Sequence, residues 1–305
     1  MQNKNLPSHY ILVADVGGSH ITVGVCDLET DNIVDDATLI VEVDSKGSAN
    51  EILNTWGHAL QQVLDKNYSI TFSGLSVAMP GPFDYQNGIS YITGLKKYEA
   101  LYGMDIRQFF ADLLGINSQL VRFRNDAEST IAGEILAGAG KGFQRIMGVT
   151  LGTGFGSAYC QNGVTKDINL GSEPFKDSIA DDHLSTRWFL KRYKEITGTE
   201  LTGGVKQLAD LARDSNIARD IFREFALNMA DFLREPVQQL EPDVLIVCGN
   251  IAKAAEFFLP HLAKALSNLT IELARLDENA PLIGAAAMFD DMSGPAPLDS
   301  LNQIA

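Results

Sequence analysis

A strand, a glycine-rich turn and a second strand occur twice in this chain, and no other feature limits its fold as tightly. In the first half, residues 10–15 and 21–28 read as strands around Asp15-Val16-Gly17-Gly18-Ser19. In the second half, residues 146–151 and 157–161 flank Leu151-Gly152-Thr153-Gly154-Phe155-Gly156. Each turn leads into a strand, whereas a dinucleotide-binding fingerprint must open a helix, so neither turn is a Rossmann site. One such unit per half predicts two similar α/β domains facing each other. Glycines without side chains let neighbouring amides close on an anion, although either turn alone reads better as an ordinary hairpin.

Between the turns, residues 118–123 alternate polar and apolar like a strand, and Ile131, Ile135 and Leu136 recur at helical spacing up to Ala137. Asn125 and Asp126 therefore sit where a strand end becomes a helix start. With a hydroxyl within reach, Asp126 can act as general base and Asn125 can orient the acceptor. The competing reading is a capping box of Asn125 with Glu128. Asp15 closes the first strand, where a carboxylate can hold magnesium directly or through water, or else cap the turn amides. Ser19 and Thr153 can add hydroxyl donors to the two turns.

The remaining pattern is α/β throughout. Residues 33–43 read as a strand, 52–64 as an amphipathic helix, and 72–79 as a strand stopped by Pro80-Gly81-Pro82. Residues 88–92 suggest a short strand and 106–114 a helix. The stretch 137–142 lacks P-loop spacing and reads as a helix C-cap and hinge. Helices follow over 184–196 and from Ile217 to a stop or kink near Pro236. A buried strand at 244–248 then leads through Gly249-Asn250 into a helix at 252–258. Residues 269–274 read as a last strand, 282–289 as a small-residue helix, and the chain from Ser293 as a frayed tail.

The balance of 39 acidic against 24 basic side chains, a net charge of -15, opposes binding to nucleic acid or to an anionic membrane. A small-molecule substrate is expected instead. The apolar run from Tyr10 is cut at Asp15, too short for a signal or a span. Cys26, Cys160 and Cys248, widely spaced and odd in number, read as buried thiols in a reducing compartment, and the cytoplasm is the expected location.

Five motifs in order, Asp15-Val16-Gly17-Gly18-Ser19, Pro80-Gly81-Pro82, Asn125-Asp126-Ala127, residues 151–156 and residues 244–250, resemble the ROK family of sugar kinases and repressors. The resemblance implies an actin-like, ribonuclease-H-like α/β fold of two domains with a cleft between them. Residues 1–124 and 125–291 would form the domains, with helix 281–290 able to pack back on the first and 292–305 as a tail. It also implies ATP with Mg2+ as phosphoryl donor, a hexose or amino-hexose acceptor, and a homodimer. By position, Asp15, Gly17, Gly18, Ser19, Gly152, Thr153 and Gly154 would meet metal and phosphates. Gly249 and Asn250 would lie against the adenosine, Asp126 would be the base, and Asn125 and Gly81 would belong to the sugar site.

The chain departs from the family pattern where a Glu-x-Gly-His segment and a cysteine-rich zinc loop are usual. Glu173-Pro174-Phe175-Lys176 stands there, and no cysteine lies between Cys160 and Cys248, so no structural zinc is expected. Glu173 is expected to bind the sugar, and Asp181 or Asp182 to replace the family's later glutamate, unless these acids merely start the helix before Leu184. Gly94-Leu95-Lys96-Lys97-Tyr98 occupies the place of a family asparagine, and His20 that of a frequent lysine. No helix-turn-helix segment precedes Tyr10, which favours the kinase branch. The expected activity is glucokinase-like 6-phosphorylation of a hexose. The alternatives are a kinase for an N-acetylated amino sugar and a non-catalytic sensor.

Overall fold

The computed structural model describes residues 9–289. The first half contains β1 (Tyr10–Val16), β2 (His20–Asp27), β3 (Asn32–Ile33), β4 (Leu39–Glu42), α1 (Ala49–Lys66), β5 (Phe72–Met79), β6 (Phe83–Asp84), β7 (Ile89–Ser90), α2 (Ile106–Leu114) and β8 (Val121–Asn125). Next come α3 (Asp126–Ala137), β9 (Arg145–Leu151), β10 (Phe155–Gln161), β11 (Val164–Asp167), β12 (Pro174–Phe175), β13 (Ser178–Ile179), α4 (Ala180–His183), α5 (Thr186–Thr197) and α6 (Gly204–Ala212). The chain closes with α7 (Asn216–Leu240), β14 (Val244–Cys248), α8 (Ala255–Ala265), β15 (Thr270–Leu273) and α9 (Ala280–Ala286).

Two mixed sheets result. The first runs β3-β2-β1-β5-β8, with β4 also on β2, and the second runs β11-β10-β9-β14-β15. In each, an antiparallel hairpin (β1–β2, β9–β10) carries a glycine turn, and parallel strands continue from its first strand. The central strands are apolar almost throughout because both faces are covered. Leu12, Ala14, Val23, Leu75 and Val77 meet Trp56 and Leu60 of α1 and Phe110 of α2 in one core. Ile11, Val13 and Cys26 face the other way, onto Leu282 and Ala286 of α9. In the second sheet, Met147, Val149 and Leu245 pack under Phe189, Phe222, Phe225 and Phe258, while Ile146, Ala158 and Ile246 face Ile131 of α3.

The halves meet backbone to backbone where α3 crosses α9. A Cβ on Gly284 would lie 1.8 Å from the Ser129 carbonyl oxygen, and one on Gly133 would lie 2.0 Å from that of Ala280. We expect Gly284→Ala to force the helices apart and lower stability by about 3 kcal/mol or more. Thermal melting checks this, and an unchanged midpoint would show that the contact yields freely.

Four expectations change. Residues 33–43 are two short strands, because Asp36 adopts φ 56° and the Ala37 N–H turns back to Val34. Ser118–Leu120 is a 3-10 turn capped by the Asn117 side chain, so the strand starts at Val121. Residues 180–183 form a separate helix, α4, before α5. The helix does not stop near Pro236, which lies inside α7; the helix continues to Leu240. Proline removes a single N–H donor, and Val237 beyond it packs against the core. The tail from Ser293 lies outside the described residues. Among those residues all three cysteines are buried and free, and no helix is long and apolar enough to cross a membrane.

Candidate active site

The two glycine turns owe their shape to neighbours that use some amides and spare others. In the first, the Gly17 N–H donates to the His20 carbonyl (2.9 Å) and the Tyr98 hydroxyl donates to the Gly17 carbonyl (2.6 Å). In the second, the Gly152 N–H donates to Gly154 (3.0 Å), and the Gly152 carbonyl accepts both the N–H (2.8 Å) and the hydroxyl (2.9 Å) of Thr186. The N–H groups of Gly18, Ser19, Thr153 and Gly154 keep no acceptor among the described residues. Adjacent free amides in an exposed turn make an anion site, so both turns suit phosphate oxygens.

Asp15 lines a cavity of about 400 Å³ together with Thr130, Gly249, Asn250, Lys253 and Asp277. Gly249 is required here. It adopts φ +90°, and a Cβ would lie 2.5 Å from the Leu151 carbonyl oxygen, so the end of β14 closes directly on the end of β9. Burial, and secondly the charge of Asp126, push the Asp15 carboxyl up to about 7. A carboxylate crowded in this way suits a divalent cation.

A second cavity, of about 650 Å³, is lined by Gly81, Tyr85, Asn125, Asp126, Asp167 and Asn169, among others. Asn125 caps α3, its Oδ1 accepting the N–H groups of Ala127 (2.9 Å) and Glu128 (3.1 Å). Its Nδ2 donates to the Tyr85 hydroxyl (3.1 Å), which donates in turn to the Met79 carbonyl (3.1 Å). The reciprocal half of the expected capping box is not made, because the Glu128 carboxylate turns to Arg124 (3.2 Å). Asp126, the first helical residue, accepts only the Ala127 N–H (2.9 Å) and pairs with no cation among the described residues. Asp167 is raised above the usual carboxylate range by burial, and also by Asp126. Among the described residues, no basic side chain lines this cavity.

Asp15 and Gly249-Asn250 thus share one cavity, Gly81, Asn125, Asp126 and Asp181 share the other, and the charges of Asp15 and Asp126 couple the two. Glu173 departs from expectation. It is exposed and is not among the lining residues: the β12–β13 hairpin starts at Pro174, and the backbone of Glu173 is engaged, its N–H donating to the Leu170 carbonyl (3.1 Å) and its carbonyl accepting the Ala180 N–H (2.9 Å). Lys176, where the family pattern has histidine, reaches Asn228 Oδ1 of α7 (2.5 Å). Lys96 and Lys97 border a separate cavity of about 250 Å³ beside Lys46. Tyr85, Asp167 and Asn169 escaped the sequence reading. Only the closeness of Tyr85 to Pro80-Gly81-Pro82 hinted at any of them.

Two α/β halves, each turning a glycine loop from a strand pair towards a cleft with acids between, define an actin-like two-domain fold. The ROK family glucokinase from Streptomyces griseus, solved in complex with glucose and AMPPNP, shares this fold with a TM-score of 0.76 at 19% identity, covering 92% of this chain and 98% of that one. The chain belongs to the ROK family, whose model matches residues 11–167. Similar curated proteins include N-acetyl-D-glucosamine kinase of Haemophilus influenzae, 22% identical over 90% of this chain and 97% of its own length. Glucokinase of Thermotoga maritima is 20% identical over 95% of this chain and all, 100%, of its own.

Proposed function

We propose that this chain is an ATP-dependent sugar kinase that transfers the γ-phosphoryl group to a hexose hydroxyl, glucokinase-like in acting at the 6-position. The observation that carries this reading is a carboxylate, Asp126, unpaired among the described residues, in a cavity electrostatically coupled to a second cavity bearing Asp15. Phosphoryl transfer needs held phosphates, charge neutralisation and a base for the hydroxyl. The free amides of both turns take the phosphates, and Asn125, locked by its cap and by Tyr85, orients the sugar. Asp126 accepts the hydroxyl proton. Asp15 would hold Mg2+, which when bound neutralises phosphate charge. The kinase relatives support the reading, and we take the protein to work in the cytoplasm as a homodimer, which light scattering checks.

A second reading, phosphorylation of an N-acetylated amino sugar, draws on Leu95 and Ile179. Both line the acceptor cavity while 49% and 38% exposed, an apolar wall suited to an acetyl methyl group. Magnesium- and ATP-dependent ADP release across glucose, mannose, fructose and N-acetylated hexosamines tests both. Turnover on a neutral hexose is expected, acetylated sugars alone would favour the second reading, and no sugar-dependent ADP would end the kinase reading. Tyr85→Phe should raise the sugar KM about three- to tenfold, the effect of one lost hydrogen bond to Asn125, with the ATP KM unchanged. An unchanged sugar KM would show that the cap alone orients Asn125.

A further inference from the structure

Asp181 lines the acceptor cavity beside Phe155, yet both its oxygens already have partners. Oδ1 accepts the Phe155 N–H (2.5 Å), and Oδ2 pairs with the Arg187 guanidinium. Phe155 directly follows Gly154, so this bond closes the far side of the second phosphate turn. The near side is held by Thr186 through the Gly152 carbonyl, and Thr186 and Arg187 are the first two residues of α5. Both ends of the turn therefore hang on the junction of α4 and α5. Gly152 bonds Gly154, so Phe155 and Leu151 face each other in the hairpin as a non-hydrogen-bonded pair, and the Phe155 N–H points off the hairpin, where Asp181 accepts it. A Cβ on Gly154 would lie 3.1 Å from Asp181 Oδ1, so the carboxylate rests against the turn itself.

Asp181 is in turn held by its own surroundings. The Ala180 N–H closes the base of the β12–β13 hairpin on the Glu173 carbonyl (2.9 Å). Lys176 ties the hairpin tip to Asn228 of α7, and His183 approaches Asp177 (3.1 Å).

We propose that Asp181 is a positioning residue for the second phosphate turn, setting the Thr153 and Gly154 amides for nucleotide phosphates with Arg187 as its counter-charge, and is not a sugar ligand. The proposal rests on the kinase reading above. It predicts a split between the two substrates. Asp181→Ala raises the ADP Kd measured by calorimetry, and the ATP KM, about 10- to 100-fold, the effect of losing a charged hydrogen bond, while the sugar KM stays within about threefold. Asp181→Asn, whose amide oxygen still accepts the Phe155 N–H, recovers most of the ADP affinity. A raised sugar KM with an unchanged ATP KM would make Asp181 a sugar ligand and overturn the proposal.

Should Asp181→Ala fail to fold, Arg187→Ala removes a side chain that is 58% exposed and outside both cavities. It is expected to weaken ADP binding severalfold at an unchanged sugar KM, and unaltered ADP affinity would overturn the proposal. Wild-type protein that binds no ADP would end the kinase reading and the proposal together. Wild-type binding that every variant retains would end only the role of Asp181.

Discussion

Asp126→Asn is expected to lower turnover about 10²- to 10⁴-fold with little change in sugar KM or melting temperature, the range ascribed to a positioned general base. The fold is spared for a reason visible at the start of α3. Asn125 is the residue whose side chain satisfies the first free amides, so Asp126 is not the cap. An asparagine oxygen at position 126 still accepts the Ala127 N–H, and removing the charge relieves Asp15 and Asp167, both of which feel it. Steady-state kinetics beside a thermal melt is the measurement. Wild-type turnover in the variant would remove Asp126 from the chemistry, and a collapsed melt would mean that its role is structural.

Asp15→Asn is expected to act in opposite directions on activity and stability. Activity falls about 10- to 100-fold or more, because the variant loses the carboxylate proposed to hold the cation beside the phosphates. Stability in the absence of magnesium and nucleotide rises. The folded protein keeps the Asp15 proton up to about pH 7, whereas the unfolded chain releases it near 3.8. A raised folded value stabilises fully below the unfolded one, and that stabilisation is lost as pH climbs to about 7. Wild-type protein should therefore lose stability between about pH 4 and 7, and the variant should lack this part of the slope. Denaturant midpoints at pH 5 and pH 8 decide it. Parallel behaviour of the two proteins would show that Asp15 ionises freely in the fold.

Legibility followed the range of the interactions involved. The bounds of β5 and α2 coincide with the strand and helix expected at 72–79 and 106–114. Periodicity and a terminating proline or glycine are local signals. Local reading failed where a short polar cap competed with strand alternation, as at Asn117, and where Asp36 took a left-handed conformation that splits the expected strand. It failed at Asp167 and Asn169 for a different reason. Asp167 ends β11 and Asn169 follows it, and only the approach of β11 to α3 makes them part of a cavity. Glu173 and Asp181 looked interchangeable as acids, yet the hairpin leaves one exposed and presses the other against a glycine turn.

The amino-acid sequence by itself determined the two glycine turns, the acids at the strand ends and the α/β alternation, because each depends on backbone freedom or on periodicity within a few residues. Tertiary structure alone decided which acids face one another, that Tyr85 locks Asn125, and that α9 meets α3 backbone to backbone. Those outcomes depend on burial and on contacts between residues far apart in the chain, such as Gly284 against Ser129, where only the absence of a side chain lets two backbones touch.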